Sequence, residues 1–276
     1  MTAPERVAIQ GVRGAFSHEA AHRLLGDGVG VVECRTFEDV FEAVASGAAD
    51  AAALPVENTL AGAVQPAMDL LVRHDLHAVA EVRVPVRLCL IAPPGRDLRD
   101  LRSAASHPVA LQQCRRFFRE HPHIEPVVAF DTAGAVRDLA AGEAGYDAAV
   151  GSALAAEIWG ARVLRASLED DPHNYTRFLL LRPEPCTPRG SRAKTSLAWT
   201  LPHRPGSLHE ALGVFAGRGV DLTRLESRPI PGRPWEYRFF ADLGGAPLEV
   251  QDEAVGALGT MAPELRVLGR YPEEAH

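Results

Sequence analysis

The chain has little of what marks metal, redox or nucleic-acid chemistry. Its four cysteines, Cys34, Cys89, Cys114 and Cys186, are scattered without a C-x-x-C spacing, which predicts neither a zinc site nor a disulfide framework. Lysine is nearly absent and the formal net charge is −7, whereas a nucleic-acid surface needs clustered cations. No G-x-G-x-x-G loop for a dinucleotide occurs. We therefore predict no metal site, no cofactor and no nucleic-acid partner.

Long apolar runs are missing as well. No stretch approaches the ~20 apolar residues that a membrane-spanning helix needs. The first residues, Met1 to Arg6, lack a basic segment followed by an apolar one, so they do not resemble a secretory signal. Together with the unpaired cysteines, these features lead us to expect a cytoplasmic protein without a membrane partner.

From residue 6 onward, short apolar runs alternate with Ala-rich helical patterns, which is typical of an α/β fold. The alternation is interrupted near residue 78, repeats in a second stretch and returns near residue 164. We predict a bilobal domain over residues 1–183, with lobe 1 at about 1–78 and 164–183 and lobe 2 at about 79–163. The two lobes are expected to enclose a cleft.

The segment 184–193 is rich in Pro and Gly, which indicates a linker. Residues 194–276 then show the order βαββαβ, the split βαβ arrangement of ferredoxin-like domains. We predict a second, smaller domain there. Such small sheets commonly associate edge to edge.

Two loops of lobe 1 follow predicted strands, where ligands of open α/β sheets bind. In the first, Ser17 is predicted to cap a helix, and its hydroxyl could hold an anionic group. In the second, Asn58 and Thr59 follow a buried Ala-rich strand and could bind a carboxylate or a hydroxyl. The alternatives are a plain capped turn for the first loop and an Asx-type cap for the second.

Two further loops belong to lobe 2. Ser106 stands at a predicted helix start that runs through Phe118, and Gln113 lies about two turns later. His107 is a candidate general base, although a His before Pro in a turn more often packs and hydrogen-bonds. Asp131 is predicted to cap the next helix, with the hydroxyl of Thr132 beside it.

The segment Thr176-Arg177-Phe178 places a hydroxyl and a permanent cation at the entrance of an apolar strand. Arg presents a rigid fork of donors that matches a carboxylate, although it could instead pair with Asp170 or Asp171. The candidate groups are therefore hydroxyls, amides and one Arg. They predict a site that binds a small anion and assists a leaving group, rather than redox chemistry or metal-dependent hydrolysis.

Five segments in order resemble the prephenate dehydratase family and its plant-type relative, arogenate dehydratase. They are Gly11-x-x-Gly-x-Phe-Ser17, Leu54-Pro-Val-Glu-Asn-Thr59, Ser106-His-Pro108 with Gln112-Gln-Cys114, Asp131-Thr-Ala133 and Asn174-x-Thr-Arg-Phe178. The resemblance implies a periplasmic-binding-protein-like (type II) catalytic domain. Ala15 and Val109 depart from the family pattern, so neither is assigned a polar contact.

The resemblance implies that prephenate loses carbon dioxide and hydroxide to give phenylpyruvate in L-phenylalanine biosynthesis. Thr176 would be the principal catalytic residue and Arg177 a carboxylate binder. Asn58, Ser106 and Gln113 would be polar partners of the substrate. The remaining predicted substrate-site residues are Ser17, Thr59, Thr132 and Phe178.

The C-terminal unit resembles an ACT domain, which implies feedback regulation by L-phenylalanine between neighbouring subunits of a homodimer or homotetramer. The implied effector residues are Gly206, Ser207, Leu208, Glu226, Ser227, Arg228 and Pro229. Two other readings of the chain stay open: a non-catalytic bilobal sensor of small carboxylates, and an enzyme that prefers arogenate. The sequence does not distinguish prephenate from arogenate.

Overall fold

The computed structural model describes residues 5–188 and 193–273. Residues 1–4 and 274–276, and residues 189–192 of the predicted linker, lie outside this part. In chain order the elements are β1 (Arg6–Gln10), α1 (Phe16–Leu25), β2 (Gly30–Cys34), α2 (Phe37–Ala45), β3 (Ala51–Asn58), β4 (Gly62–Ala63), α3 (Gln65–Arg73), β5 (His77–Pro85), β6 (Cys89–Ala92), a 3-10 turn (Leu98–Asp100), β7 (Ser103–Ser106), α4 (Pro108–Gln112), α5 (Arg115–Glu120), β8 (Glu125–Val128), α6 (Thr132–Ala141), β9 (Ala148–Gly151), α7 (Ala153–Trp159), β10 (Arg162–Arg165), β11 (Tyr175–Arg182), β12 (Ala193–Thr200), α8 (Ser207–Ala216), β13 (Asp221–Ile230), β14 (Arg233–Gly244), α9 (Leu248–Gly259) and β15 (Leu265–Pro272).

The chain divides into two compact units. The first comprises Met1–Ala67 and Val82–Phe178, and the second comprises Met68–Glu81 and Leu179–His276. Strands β5 and β11 cross the boundary between the units. The predicted domain limits, with a first domain ending at residue 183, stay a prediction. None of the described helices is both long enough and apolar enough to cross a membrane.

The first unit contains two sheets, which confirms the mixed α/β prediction. In one of them β1 pairs in parallel with both β2 and β3. Val7, Ala8 and Ile9 of β1 are fully buried, as expected of a central parallel strand that is covered on both faces. The other sheet has the strand order β10-β6-β9-β7-β8, with β7 parallel to its neighbours β8 and β9.

Two helix predictions for this unit are wrong in detail. Helix α1 begins at Phe16 after Ala15, which has no side-chain cap, so Ser17 lies inside the first turn instead of capping it. The helix predicted through Phe118 is broken into α4 and α5. The Asp170 carboxylate accepts the backbone N–H groups of Arg115 and Arg116 at 3.0 and 2.9 Å, so a residue far along the chain supplies the cap for the second piece.

The second unit contains the predicted βαββαβ order over β12 to β15. Strand β12 pairs antiparallel with β14 and β15, and β13 pairs with the other side of β14. Trp199 and Phe215 are buried in its core, between the sheet and helices α8 and α9. Strand β15 also pairs in parallel with β5 at Gly269 and Ala78. A Cβ on Gly269 would lie 2.2 Å from the Ala78 carbonyl oxygen, so this pairing requires glycine.

Candidate active site

The first unit contains a cavity of about 500 Å³ at the ends of several strands. Apolar side chains, among them Phe16, Val86 and Leu88, form much of its wall. Its polar lining includes Asn58, His107, Gln113, Asp131, Thr132 and Thr176. A largely apolar cavity of this size with a few convergent polar groups is typical of a small-molecule site.

Asn58 ends strand β3, and both sides of its amide are engaged. The Oδ1 atom accepts the backbone N–H groups of Leu60 and Ala61 at 3.0 and 2.9 Å. The Nδ2 atom donates to Asn174 Oδ1 at 2.8 Å and to Thr176 Oγ1 at 3.0 Å. The sequence leaves an Asx-type cap of the next helix and a binding role as alternatives. The amide oxygen instead closes a turn at Leu60 and Ala61, before α3 begins at Gln65, and the binding role stays a prediction.

Thr176 is the second residue of β11 and faces the cavity. Since an amide N–H can only donate, the Thr176 oxygen is the acceptor in its contact with Asn58. The hydroxyl proton is therefore available, and no acceptor for it occurs among residues 5–188 and 193–273. Thr176 can donate a hydrogen bond or a proton to a group bound in the cavity.

Asn174 was not among the predicted site residues, although it belongs to the motif quoted for the family resemblance. It is completely buried. Its Oδ1 accepts from Asn58, and its Nδ2 donates to Gln113 Oε1 at 2.9 Å. Only the spacing Asn-x-Thr in the sequence could have pointed to this residue.

The predicted cap at Asp131 is confirmed, because its side chain accepts the N–H of Gly134 at the start of α6. Thr132, the first residue of α6, lines the cavity. His107 also lines it and caps α4, with Nδ1 accepting the Val109 N–H at 3.3 Å. The neutral imidazole therefore carries its proton on Nε2, which agrees with the hydrogen-bonding alternative for this residue.

Three other predicted residues make contacts away from the cavity lining. The Ser106 hydroxyl is fully buried and donates to the Val150 carbonyl at 2.6 Å, which ties β7 to β9. The Thr59 hydroxyl donates to the His173 carbonyl at 2.8 Å and accepts the Tyr175 N–H at 3.0 Å. Ser17 is buried in α1. None of the three is part of the cavity wall.

Arg177 and Phe178 also lie outside the cavity lining. Successive side chains of a strand point to opposite faces, so Thr176 and Arg177 cannot face the same cavity. Arg177 is mostly buried and lies 3.8 Å from the Glu57 carboxylate, which belongs to the neighbouring strand β3. Phe178 packs with Ala20, Val82 and Val84.

A thiol stands next to Gln113, at the break between α4 and α5. Burial raises the pKa of Cys114 to about 12. The thiol therefore stays protonated at neutral pH, and only a thiolate is an effective nucleophile. Cys114 is therefore not a candidate nucleophile, and the polar side chains of the cavity lining remain the groups that can act on a ligand.

The second unit has a smaller cavity of about 150 Å³, lined in part by Ser207, Leu208, Trp235, Tyr237 and Phe239. Gly206 precedes it with a φ of +87°, a backbone conformation that favours glycine. Ser227 and Pro229 of β13 pair in register with Phe239 and Tyr237, so they share a sheet face with these two ring residues.

Glu226 and Arg228 alternate with these residues along β13 and make different contacts. Arg228 forms an ion pair with Asp69 at 2.8 Å, and Glu226 pairs with Arg224 at 2.5 Å. Of the predicted effector residues, Ser207 and Leu208 line the cavity, whereas Gly206, Glu226, Ser227, Arg228 and Pro229 do not.

The fold and the larger cavity define an α/β enzyme for a small organic substrate, whose polar groups are hydroxyls and amides. A family model for prephenate dehydratase matches residues 7–186. The chain is 41% identical over 278 residues to arogenate dehydratase/prephenate dehydratase 2, chloroplastic, of Arabidopsis thaliana, a match that covers 97% of this chain and 72% of the relative. The chain therefore belongs to the prephenate dehydratase family and is a lyase.

Two solved structures are similar over nearly the whole chain. Prephenate dehydratase from Arthrobacter aurescens in complex with L-Phe has a TM-score of 0.88 and 33% identity, covering 97% of this chain and 90% of that one. GqqA, described as a novel type of quorum-quenching acylase, has a TM-score of 0.88 and 37% identity, covering 98% of each chain.

Proposed function

We propose that the chain converts prephenate to phenylpyruvate in L-phenylalanine biosynthesis. In this reaction the C1–carboxylate bond breaks to release carbon dioxide, its electron pair moves into the ring, and the C4–oxygen bond breaks. The departing hydroxide takes up a proton and leaves as water, and the ring becomes aromatic. Electrons balance without an external oxidant or reductant, so the reaction requires no redox cofactor.

The observation that carries the proposal is the hydroxyl of Thr176. Its oxygen accepts from Asn58 at 3.0 Å while its proton is available to the cavity. A hydroxyl held in this way can donate to the C4 oxygen as the C–O bond breaks, a general-acid contribution of typically ~10²–10⁴ in rate. Apolar side chains form much of the cavity wall, and a hydrogen bond in such surroundings is stronger than one in water.

Arogenate is the second candidate substrate, because relatives of the chain carry its name. It differs from prephenate by an amino group in place of the side-chain keto oxygen. Measuring kcat/KM for both substrates with the purified protein tests the function and the preference together. Formation of phenylpyruvate from prephenate is the expected result, and no turnover of either substrate would overturn the proposal.

An acylase activity has less support from the site. A hydroxyl nucleophile of an acylase needs an adjacent base to take its proton. Thr176 is instead hydrogen-bonded to the Nδ2 donor of Asn58, which cannot accept that proton. No side-chain base is hydrogen-bonded to Thr176 in the described part of the chain. The geometry favours donation to a leaving group over nucleophilic attack.

We further propose that the first unit has the bilobal periplasmic-binding-protein-like fold and that the βαββαβ part is an ACT domain that binds L-phenylalanine. The cavity beside Leu208, with Trp235, Tyr237 and Phe239, offers apolar surface for an aromatic side chain. β13 is an edge strand of the βαββαβ sheet, and Leu225 on it is exposed. These features support pairing with a second copy in a homodimer or homotetramer.

Calorimetry with L-phenylalanine tests the effector proposal. Binding together with inhibition of turnover is expected, and the absence of binding heat at millimolar ligand would contradict it. Trp235 is exposed at the cavity, so its fluorescence gives a second readout of occupancy. The cytoplasmic location stays a prediction.

A further inference from the structure

The side-chain amides around the larger cavity form a chain of hydrogen bonds with a fixed direction. The chain begins at Asn58, whose oxygen accepts two backbone N–H groups, from Leu60 and Ala61. Backbone N–H groups can only donate, so this oxygen must face them and the Asn58 Nδ2 must point the other way. Asn58 is therefore a donor toward Asn174 and Thr176.

The same reasoning fixes the orientation of the Asn174 amide. Its oxygen must face the Asn58 donor at 2.8 Å, which turns its Nδ2 toward Gln113 Oε1 at 2.9 Å. The Gln113 oxygen is thereby occupied, and the Gln113 Nε2 is left as the group that can face the cavity. No acceptor for Nε2 occurs in the ranges 5–188 and 193–273.

The chain of hydrogen bonds therefore leaves two of its donors facing the cavity, the Thr176 hydroxyl and the Gln113 amide. The described cavity lining contains neither Lys nor Arg, so neutral donors must supply much of the recognition of carboxylate oxygens and of the departing hydroxyl. If the Asn174 or the Gln113 amide were reversed, the Gln113 oxygen, an acceptor, would face the cavity instead. Electron-rich substrate oxygens would then meet an oxygen lone pair.

We propose, on the basis of the dehydratase function proposed above, that Asn174 is a positioning residue that fixes Gln113 as a donor into the cavity. Asn174 is completely buried and does not line the cavity, so it acts through Gln113 and Asn58 rather than on the substrate. Its two hydrogen bonds span 116 and 61 positions of the chain. Backbone hydrogen bonds from Thr59 to Tyr175 and from Asp170 to Gln113 hold the same loops together, so loss of the amide should change the orientation of Gln113 more than the backbone.

The Asn174→Asp variant tests the direction of the chain, because its carboxyl group changes polarity with pH. When protonated, the carboxylic acid accepts from Asn58 with one oxygen and donates its O–H to Gln113, as the native amide does. When ionised, it can only accept, so Gln113 must turn its Nε2 toward it and present Oε1 to the cavity. Burial raises the pKa of such a carboxyl group, which brings the change into a usable pH range.

The experiment compares kcat/KM of Asn174→Asp with that of the wild type across the pH range in which both stay folded by thermal unfolding. We expect the ratio of variant to wild type to be highest at low pH and to fall about tenfold or more as pH rises, the effect of one charge-sensitive hydrogen bond. A ratio that does not change with pH would overturn the inference.

Gln113→Glu is a second variant that does not alter the buried amide. The new carboxylate offers the cavity only acceptor oxygens, so we expect a similar loss of kcat/KM that protonation relieves. Gln112→Glu is the matched control, since Gln112 is exposed and outside the cavity lining. Equal effects of the two changes would count against a donor role for Gln113.

The two proposals fail in different ways. If the wild type turns over neither prephenate nor arogenate, the proposed function fails, and the inference is then tested by nuclear magnetic resonance without substrate. The Gln113 side-chain amide signals should shift with pH in Asn174→Asp and stay constant in the wild type. Constant signals in both proteins would overturn the inference, whatever the outcome of the turnover assay.

Discussion

Lys194 Nζ lies 2.7 Å from Glu81 Oε1, and the two side chains are 3% and 0% exposed. Lys194 is the chain's single lysine, and it lies on β12 of the second unit, while Glu81 lies on β5. An ion pair of this kind gains little over apolar packing but becomes costly when one partner is removed. The ion pair therefore fixes β12 to the part of β5 that precedes Val82.

We predict that Lys194→Met destabilises the protein by about 3–5 kcal/mol, because it leaves the Glu81 carboxylate buried without its cation. Urea unfolding at pH 7, followed by tryptophan fluorescence, to which the buried Trp199 contributes, measures the effect. The double variant Lys194→Met/Glu81→Leu should recover most of the loss. If the double variant were as unstable as the sum of both single changes, the ion pair would not explain the cost.

Strand and helix positions could be read from the sequence, because they follow from local patterns. The apolar run predicts a strand over residues 7–10 and the Ala-rich pattern a helix over residues 133–141, close to the observed β1 and α6. The helix break after Gln113 could not be read, since the cap comes from Asp170, more than fifty residues away. Long-range hydrogen bonds of this kind leave no local signature.

The same distinction holds at the site. Asn58, Gln113, Thr132 and Thr176 were predicted and line one cavity. Asn58 ends β3 and Thr132 begins α6, positions that local patterns mark, whereas the roles of Gln113 and Thr176 came from the family resemblance. Arg177 was predicted to bind a carboxylate from its residue type and from the family resemblance. Side chains alternate along β11, so Arg177 lies on the face of the strand opposite Thr176. This alternation could have been predicted from the sequence of the strand.

Thr176→Val should remove most turnover while leaving substrate binding and folding close to wild type. The change keeps the side-chain shape but deletes the hydroxyl that accepts from Asn58 and donates to the cavity. We expect kcat to fall by ~10²–10⁴ with a small change in KM. Steady-state kinetics measures both constants.

Thr260→Val serves as the control for that substitution, because the Thr260 hydroxyl contacts only the Ala257 carbonyl among described residues and is exposed. It should leave both constants unchanged. A Thr176→Val enzyme with wild-type kcat would remove the central role from this hydroxyl.

Arg177→Gln should reduce stability more than substrate binding. The guanidinium is mostly buried and lies 3.8 Å from Glu57, on the strand face opposite Thr176. Loss of a buried charged hydrogen-bonding group costs about 1–3 kcal/mol, so urea unfolding should detect it while KM changes less than about twofold. A tenfold rise in KM with unchanged stability would instead support the carboxylate role.

His18 makes the stability of the first unit depend on pH. Its Nδ1 accepts the Gly14 N–H at 3.1 Å, a contact that a protonated imidazole cannot make. Burial, followed by the charges of His22 and Arg13, lowers the pKa of His18 from 6.5 to about 4, against the opposing effect of Glu33. Gly14 packs closely against Ala155, since a Cβ on Gly14 would lie 2.5 Å from the Ala155 Cα.

The sign of the pH effect follows from the depressed pKa. Between pH 6.5 and about 4 the unfolded chain binds the proton more readily than the folded one, so the free energy of unfolding falls as pH falls through this window. The contribution is on the order of 2–3 kcal/mol at neutral pH. Urea unfolding of the wild type and of His18→Gln at pH 7 and pH 5 measures it.

We expect the wild type to lose more stability than His18→Gln between these two pH values, because the amide accepts the Gly14 N–H without titrating. His209→Gln is the control, since His209 is an exposed histidine of the second unit. It should follow the wild type at both pH values. If His18→Gln lost as much stability as the wild type, acid sensitivity would have to come from another group, and the Gly14 contact would not be what a proton disrupts.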